Sequence, residues 1–112
     1  MKKIEAVIRV EKLDDVMDTL EKLGYPGMTV TRVEGHGRQK GLVEQFRGRE
    51  FKVELLPKVK IEIIAHEKDV DKIVEGIYRT SRTGEIGDGK IFVYPVDNAM
   101  RIRTGEKGDS AL

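Results

Sequence analysis

The sharpest chemical signal in this 112-residue chain is the run Thr83-Gly84-Glu85-Ile86-Gly87-Asp88-Gly89-Lys90. Glycines so close together let backbone N–H groups converge on an anion, and the lysine that ends the run supplies a point charge where phosphate oxygens would sit. From Gly84 to Lys90 the residues satisfy the first part of the P-loop pattern: glycine, four residues, glycine, lysine. The rest departs from it. Ile91 stands where a serine or threonine would ligate magnesium, and the run leads out of a helix into a strand, the reverse of P-loop order. A P-loop NTPase is therefore excluded, and taken alone the run also suits a plain turn that needs positive φ angles.

Other cations change that balance. Arg101 and Arg103, in Met-Arg-Ile-Arg-Thr, lie two apart, and strand spacing would aim both guanidinium groups to one side with Ile102 on the other. Paired arginines suit a phosphate or a carboxylate. With Arg38 and Lys90 they would form a cationic pocket able to hold a polyphosphate. Gln39 and Lys58 bracket a long basic stretch. His36 and His66 have no ligand partners at metal spacing, so a transition-metal site is not expected. No Ser-His-Asp, Cys-His or spaced carboxylate pair emerges as a catalytic set, and no enzyme is expected.

Composition narrows the classes further. Lys and Arg total 21 against 20 acids, without the basic excess of a dedicated nucleic-acid binder. Phe92-Val93-Tyr94 raises an RNA-recognition reading, but Asp88 and Pro95 stand where that motif needs basic and aromatic residues. The absence of cysteine rules out a disulfide framework, a thiolate metal site and a cysteine nucleophile. No apolar run approaches a membrane span or a signal peptide, so a soluble, intracellular protein of one domain, residues 1–112, is expected.

The elements that must position these residues follow from periodicity. Ile4, Ala6 and Ile8 alternate with Glu5, Val7 and Arg9, predicting a first strand. Leu13, Val16, Met17, Leu20 and Leu23 then recur at helical spacing, with Asp14 and Asp15 in the first turn, Gly24 past the end and Pro26 after it. Residues 28–34 alternate again. Beyond Pro57 the order repeats: a strand over 58–65, a helix striped by Val70, Ile73, Val74, Ile77 and Tyr78 with Asp69 as its expected N-cap, and a strand over 90–96. Ile4-Glu5 followed by Glu11-Lys12, and Ile61-Glu62 followed by Glu67-Lys68, form a weak internal echo. Two such units predict an α+β, ferredoxin-like double β-α-β sandwich with both helices on one face of a four-stranded antiparallel sheet. The uncovered face would present Val7, Ile64 and Phe92, which predicts a homo-oligomer.

Between the halves, residues 35–58 are too long, too glycine-rich and too charged for an ordinary connection, which is usually about 4–6 residues. Arg38, Lys40, Arg47, Arg49, Lys52 and Lys58 face only Glu44, Glu50 and Glu54 there, with Phe46 and Phe51 near the tip. This is expected to be a basic arm suited to docking on a partner.

With these residues assembled, the sequence resembles the PII family of nitrogen-regulatory signal-transduction proteins over nearly its whole length. The resemblance rests on Lys2-Lys3-Ile4-Glu5-Ala6, Gly27-Met28-Thr29-Val30-Thr31, Gly37-Arg38-Gln39-Lys40-Gly41, Leu56-Pro57-Lys58-Val59-Lys60-Ile61-Glu62, Arg79-Thr80, Thr83-Gly84, Gly87-Asp88-Gly89-Lys90-Ile91-Phe92-Val93 and Arg101-Ile102-Arg103-Thr104-Gly105-Glu106. It implies a compact homotrimer with a projecting T-loop at about 35–56, a B-loop at about 82–89 and a C-loop at about 103–108. It implies ATP or ADP in clefts between neighbours, with Gly87, Asp88, Gly89 and Lys90 at the phosphates. Arg101 and Arg103 would reach the same phosphates from across the interface, Arg38 the γ-phosphate, and Thr29 and Glu62 the nucleoside.

Mg-ATP would then support 2-oxoglutarate: Gln39 as a magnesium ligand, Lys58 on a carboxylate, and loop amides around Gly37, Gln39, Lys40 and Gly41. The implied partner is an ammonium transporter, whose pore Arg47 would block, or a nitrogen-metabolism enzyme. No nucleic acid is implied. The protein would be cytoplasmic and recruited reversibly to the membrane through the transporter.

Several positions depart from the family pattern. Phe51 lacks the hydroxyl that is nucleotidylated in many members, and Arg49 removes a serine phosphorylated in some, which leaves regulation by ligands alone. Val10-Glu11 and Asp97-Asn98-Ala99 are unlike the common pattern but touch no implied site. Two other readings stand beside the sensor: a slow ATPase or phosphotransferase of the same fold, and a purely structural ferredoxin-like trimer.

Overall fold

The computed structural model describes residues 1–39 and 52–112. Four strands, β1 (Lys2–Arg9), β2 (Thr29–Gln39), β3 (Lys52–Ala65) and β4 (Lys90–Pro95), form one antiparallel sheet in the order β2-β3-β1-β4. Helices α1 (Leu13–Lys22) and α2 (Val70–Ser81) connect β1 to β2 and β3 to β4. This is the expected ferredoxin-like order.

The register follows from which faces are apolar. Ile4, Ala6 and Ile8 of β1 stand beside Ile63, Ile61 and Val59 of β3, and all are buried with Ala65 beneath Val16 and Leu20 of α1 and Ile73 and Ile77 of α2. Each large member contributes about 1.5–3 kcal/mol by leaving water. A one-residue slip would turn this face outward, so the register is strongly specified. The helices approach closely at Gly76, where an added Cβ would meet Thr19 Cγ2 at 3.1 Å and Leu23 Cδ1 at 3.2 Å. The glycine that interrupts the second helical pattern is thus a packing residue.

Helix α1 ends as its sequence predicts. Gly24 has φ 89°, its N–H donates to the Glu21 carbonyl at 3.0 Å, and Tyr25 N–H donates to the Leu20 carbonyl at 2.9 Å. These two bonds make a Schellman motif. The internal echo also has a backbone counterpart. Arg9 and His66 both have φ −64°, ψ 142°, and each leads through a 3-10 turn into a helix whose first residue has φ −57°, ψ −49°.

Four expectations need correction. Strand β2 runs on to Gln39 and β3 begins at Lys52, with pairs from Glu34↔Pro57 to Gln39↔Lys52 continuing past Arg9↔Lys58, where β1 ends. Much of the arm is therefore a two-stranded ribbon containing Gly35 and Gly37. Its β2 half, Gly35 to Gln39, includes no apolar residue and so gives no strand periodicity. Pro57 fits there because the edge it turns toward β1 has no strand to bond. The rest of the arm, with Lys40, Gly41, Arg47, Arg49 and Phe51, lies outside the described residues.

Second, Asp69 makes no side-chain cap bond. Its carboxylate accepts from the Tyr25 hydroxyl and pairs with Lys72 at 3.1 Å, which holds it below the usual carboxylate range, the Tyr25 bond foremost.

Third, Arg101 and Arg103 are not in a strand. They flank Ile102 on a tight hairpin in which Gly105, φ 74°, donates to the Arg101 carbonyl at 2.7 Å and Arg101 N–H donates to the Glu106 carbonyl at 2.8 Å. Finally, the open sheet face is mixed rather than apolar. Phe92 is exposed and Val7 and Ile64 half-buried, but Lys3 bridges Glu62 at 2.7 Å and Glu5 at 3.7 Å, and the Tyr94 hydroxyl donates to Glu5 at 3.1 Å.

Candidate functional site

The glycine-rich turn sits where β1 ends and β4 begins, beside the part of β3 that carries Lys58. Lys90 opens β4 opposite Val7 of β1, while Arg9 closes β1 opposite Lys58 of β3. These side chains share the open face because each lies an even number of residues from the others in register. Val7, Gly35, His36, Lys58, Gly87, Asp88, Gly89 and Lys90 line a cavity of about 440 Å³, together with Glu85 and Phe92. That is a small-ligand size. Its walls come from the β1 end, the root of the ribbon and the turn.

Asp88 holds the turn in shape. Its carboxylate accepts from the Thr83 hydroxyl, from Thr83 N–H at 2.9 Å, from Gly84 N–H at 2.8 Å and from Arg9 Nε at 2.9 Å. Both oxygens are engaged within the chain. The Thr83 hydroxyl, then Arg9 and the two amides, hold the carboxyl far below the usual range against the opposing effect of burial. The acid limb of stability should show this. A depressed folded pKa gives stability that is complete above the unfolded value, about 3.9, and lost as pH falls through the folded value. Asp88→Asn should melt a few degrees lower at neutral pH and show a flatter decline below about pH 4, measured by thermal melts across pH.

Lys58 is buried, and its Nζ donates to the Gly87 carbonyl. Burial and then the nearby Arg9 charge push its pKa down, opposed by Glu11 and Asp88. An anion beside Nζ would relieve both costs. Gly89 has φ 99°, and a Cβ there would lie 1.7 Å from the Val7 carbonyl oxygen. No side chain fits.

Of the residues singled out in the sequence, Lys58, Gly87, Asp88, Gly89 and Lys90 converge here. Gly37, Arg38 and Gln39 lie on β2 in the ribbon rising from the same end, paired with Glu54, Val53 and Lys52. Thr29 and Glu62 are cross-strand partners that line a different cavity, of about 750 Å³, with Lys3, Tyr25, Gly27 and Ile64. Glu62 is held below the usual carboxylate range, first by its bond from Lys3.

Arg101 and Arg103 do not join the turn. Strand β4 runs from Lys90 beside Val7 to Pro95 beside Lys2, and Val96 N–H donates to the Met1 carbonyl. The C-terminal hairpin therefore leaves the sheet at the end opposite the turn, a strand length of roughly 17 Å away. Arg101 there pairs with Glu106 at 3.2 Å and donates to the Leu112 carbonyl at 3.1 Å, and Arg103 is exposed.

Sequence reasoning missed Arg9, which bonds both Asp88 and the Ile86 carbonyl. Its position on the open face was legible, but its neighbours depend on the β1–β3 register and the path of the turn. Among the described residues no cluster suited to a metal ion is found.

Two β-α-β units, a glycine turn walled by lysines and a ribbon rising beside it make up this end of the sheet. A family profile described as nitrogen regulatory protein P-II matches residues 1–106. Among curated relatives, nitrogen regulatory protein P-II 1 of Escherichia coli is 56% identical over 112 residues, covering all of both chains. The P-II protein of Pasteurella multocida is 55% identical, again over all of both chains. P-II 2 of Methanothermobacter thermautotrophicus is 54% identical over all of this chain and 97% of its own. The chain belongs to the P-II family of nitrogen regulatory proteins, and its role is nitrogen-regulatory signalling. No helix among the described residues is long and apolar enough to cross a membrane.

Proposed function

We propose that this chain is a non-enzymatic sensor that binds ATP or ADP at the Gly87–Lys90 turn, takes up 2-oxoglutarate when Mg-ATP is bound, and reports both through its arm to a nitrogen-metabolism target. The observation that carries this reading is the contact of Lys58, at the root of the arm, with the Gly87 carbonyl in the turn. One cation thereby touches both the phosphate-binding loop and the element that must change shape.

The donor set suits a polyphosphate. Gly89 brings the backbone close, Lys90 has no ion pair or hydrogen bond from its side chain among the described residues, and Lys58 gains from an anion beside it. Arg101 and Arg103 lie too far away on the same copy, so the complete site takes them from a neighbour, in a homotrimer with one nucleotide per cleft. Thr29 and Glu62 contact the nucleoside and Arg38 the γ-phosphate. Gln39 would hold magnesium, which would supply positive charge beside the phosphates. Lys58 then holds a 2-oxoglutarate carboxylate beside the amides of Gly37, Gln39, Lys40 and Gly41. Binding at the ribbon root would redirect the arm, a metabolite-driven shift between arm conformations. Its favoured target is an ammonium transporter, plugged by Arg47, which has the cytoplasmic protein reversibly recruited to the membrane.

Calorimetric titration of 2-oxoglutarate with and without saturating Mg-ATP tests this. Heat only in the presence of Mg-ATP is expected. If ATP binds and 2-oxoglutarate gives no heat, the protein senses adenylates alone; if neither binds, the ligand reading fails. Replacing Arg47 by alanine should leave both heats unchanged and abolish transporter inhibition in membrane vesicles, whereas retained inhibition would remove the plug.

A further inference from the structure

We propose that Arg9 is a positioning residue for the anion-binding turn, clamping Asp88 and the Ile86 carbonyl so that the peptide groups before Lys90 are held in the geometry a phosphate needs; this rests on the nucleotide reading above. Arg9 is the last residue of β1, and its side chain is only 23% exposed. Its Nε donates to Asp88 at 2.9 Å and one terminal nitrogen donates to the Ile86 carbonyl at 2.8 Å. That nitrogen also lies 3.4 Å from where a Cβ on Gly87 would stand. The guanidinium thus spans the turn from one side.

The consequence follows from peptide geometry. In a trans peptide the carbonyl and the N–H point in opposite directions. Arg9, by holding the Ile86 carbonyl, aims Gly87 N–H away from itself, and Lys58, by holding the Gly87 carbonyl, does the same for Asp88 N–H. Two successive peptide planes are set by two cations on neighbouring strands. Glycines at 87 and 89, with φ 102° and 99°, would otherwise leave these planes free to rotate. The planar guanidinium presents its donors to the carboxylate and the carbonyl in one fixed geometry, which a rotating ammonium on a single nitrogen does not, so lysine should be a partial substitute at best.

Arg9→Met should weaken ATP binding about ten-fold while leaving adenosine binding, oligomer mass and far-UV circular dichroism unchanged, because one charge-assisted hydrogen bond is worth about that factor. Arg9→Lys should fall between. Removing the neighbouring charge should also raise the Lys58 pKa, read from its Nζ resonances; the groups facing Lys58 that set this value are Arg9, Glu11 and Asp88. Amide hydrogen exchange at residues 86–89, followed in nucleotide-free protein, should accelerate in Arg9→Met. That last readout needs no ligand. Wild-type protein that fails to bind ATP would overturn the nucleotide reading, whereas unchanged exchange in Arg9→Met, or a parallel loss of ATP and adenosine affinity, would overturn the role of Arg9.

Discussion

Gly89→Ala should lose nucleotide binding altogether and melt about 10–20 °C below the parent protein. The methyl group would lie 1.7 Å from the Val7 carbonyl oxygen and 2.8 Å from its carbon, both backbone atoms of a central strand. No side-chain rotation relieves such a contact. Either the turn swings away from β1 or β1 shifts within the core, and overpacking of this kind costs about 1–3 kcal/mol. The positive φ of 99° adds about 1 kcal/mol of backbone strain for an L-residue. At this chain length each kcal/mol moves the melting temperature by about 4–8 °C. Gly84→Ala is the control. Gly84 has φ 88° but nothing within 4 Å of its added Cβ, so only the strain remains and the melting temperature should fall by about 5 °C. Equal melting temperatures for the two variants would show that conformation alone, and not the approach of the turn to β1, requires the glycines.

The comparison between those glycines also marks what sequence can and cannot disclose. Periodicity located both helices because Val16, Leu20, Ile73 and Ile77 face one core, and it located the inner residues of β1 and β3 for the same reason. Where no core is covered the signal fades: the ribbon pairs Gly35↔Leu56 through Gln39↔Lys52 read as loop because Gly35 to Gln39 includes no apolar residue. The arginines at 101 and 103 misled for a related cause. Their alternation suits a strand, but Gly105 closes a hairpin around them, and a glycine's φ is not written in its neighbours.

Among the site residues, Gly87, Gly89 and Lys90 were legible because their types are needed locally. Arg9 was not, since its partners lie more than seventy residues away along the chain, at Ile86 and Asp88, and only the assembled sheet makes them neighbours. Asp88 shows the reverse case. A carboxylate in a glycine-rich turn flanked by lysines looks out of place in sequence, and the structure gives it a job that leaves no oxygen for a ligand: it gathers Thr83, Gly84 and Arg9 into one loop geometry.

Lys90→Ala should lower ATP affinity about 30–100-fold with little change in melting temperature. The reasoning turns on what the ammonium already does. Lys58 is committed to the Gly87 carbonyl and Arg9 to Asp88 and Ile86, so their removal would disturb the turn as well as the charge of the cavity. Lys90 lines the same cavity, and its side chain makes no ion pair or hydrogen bond among the described residues. Among the described residues that line the cavity, it is a cation with no partner to give up when a phosphate arrives. A charge-assisted hydrogen bond to phosphate contributes about 1.5–3 kcal/mol, and truncating it removes that contribution without leaving a buried partner unpaired in the free protein. The loss should track phosphate charge, large for ATP, smaller for ADP and absent for adenosine, and it should shrink as salt rises because the site opens to solvent. Calorimetry across those three ligands decides the matter. Equal affinities in wild type and variant would mean that the Gly87–Lys90 turn does not receive phosphate, whereas a uniform loss that includes adenosine would mean that Lys90 supports the fold of the cleft rather than the charge of its ligand.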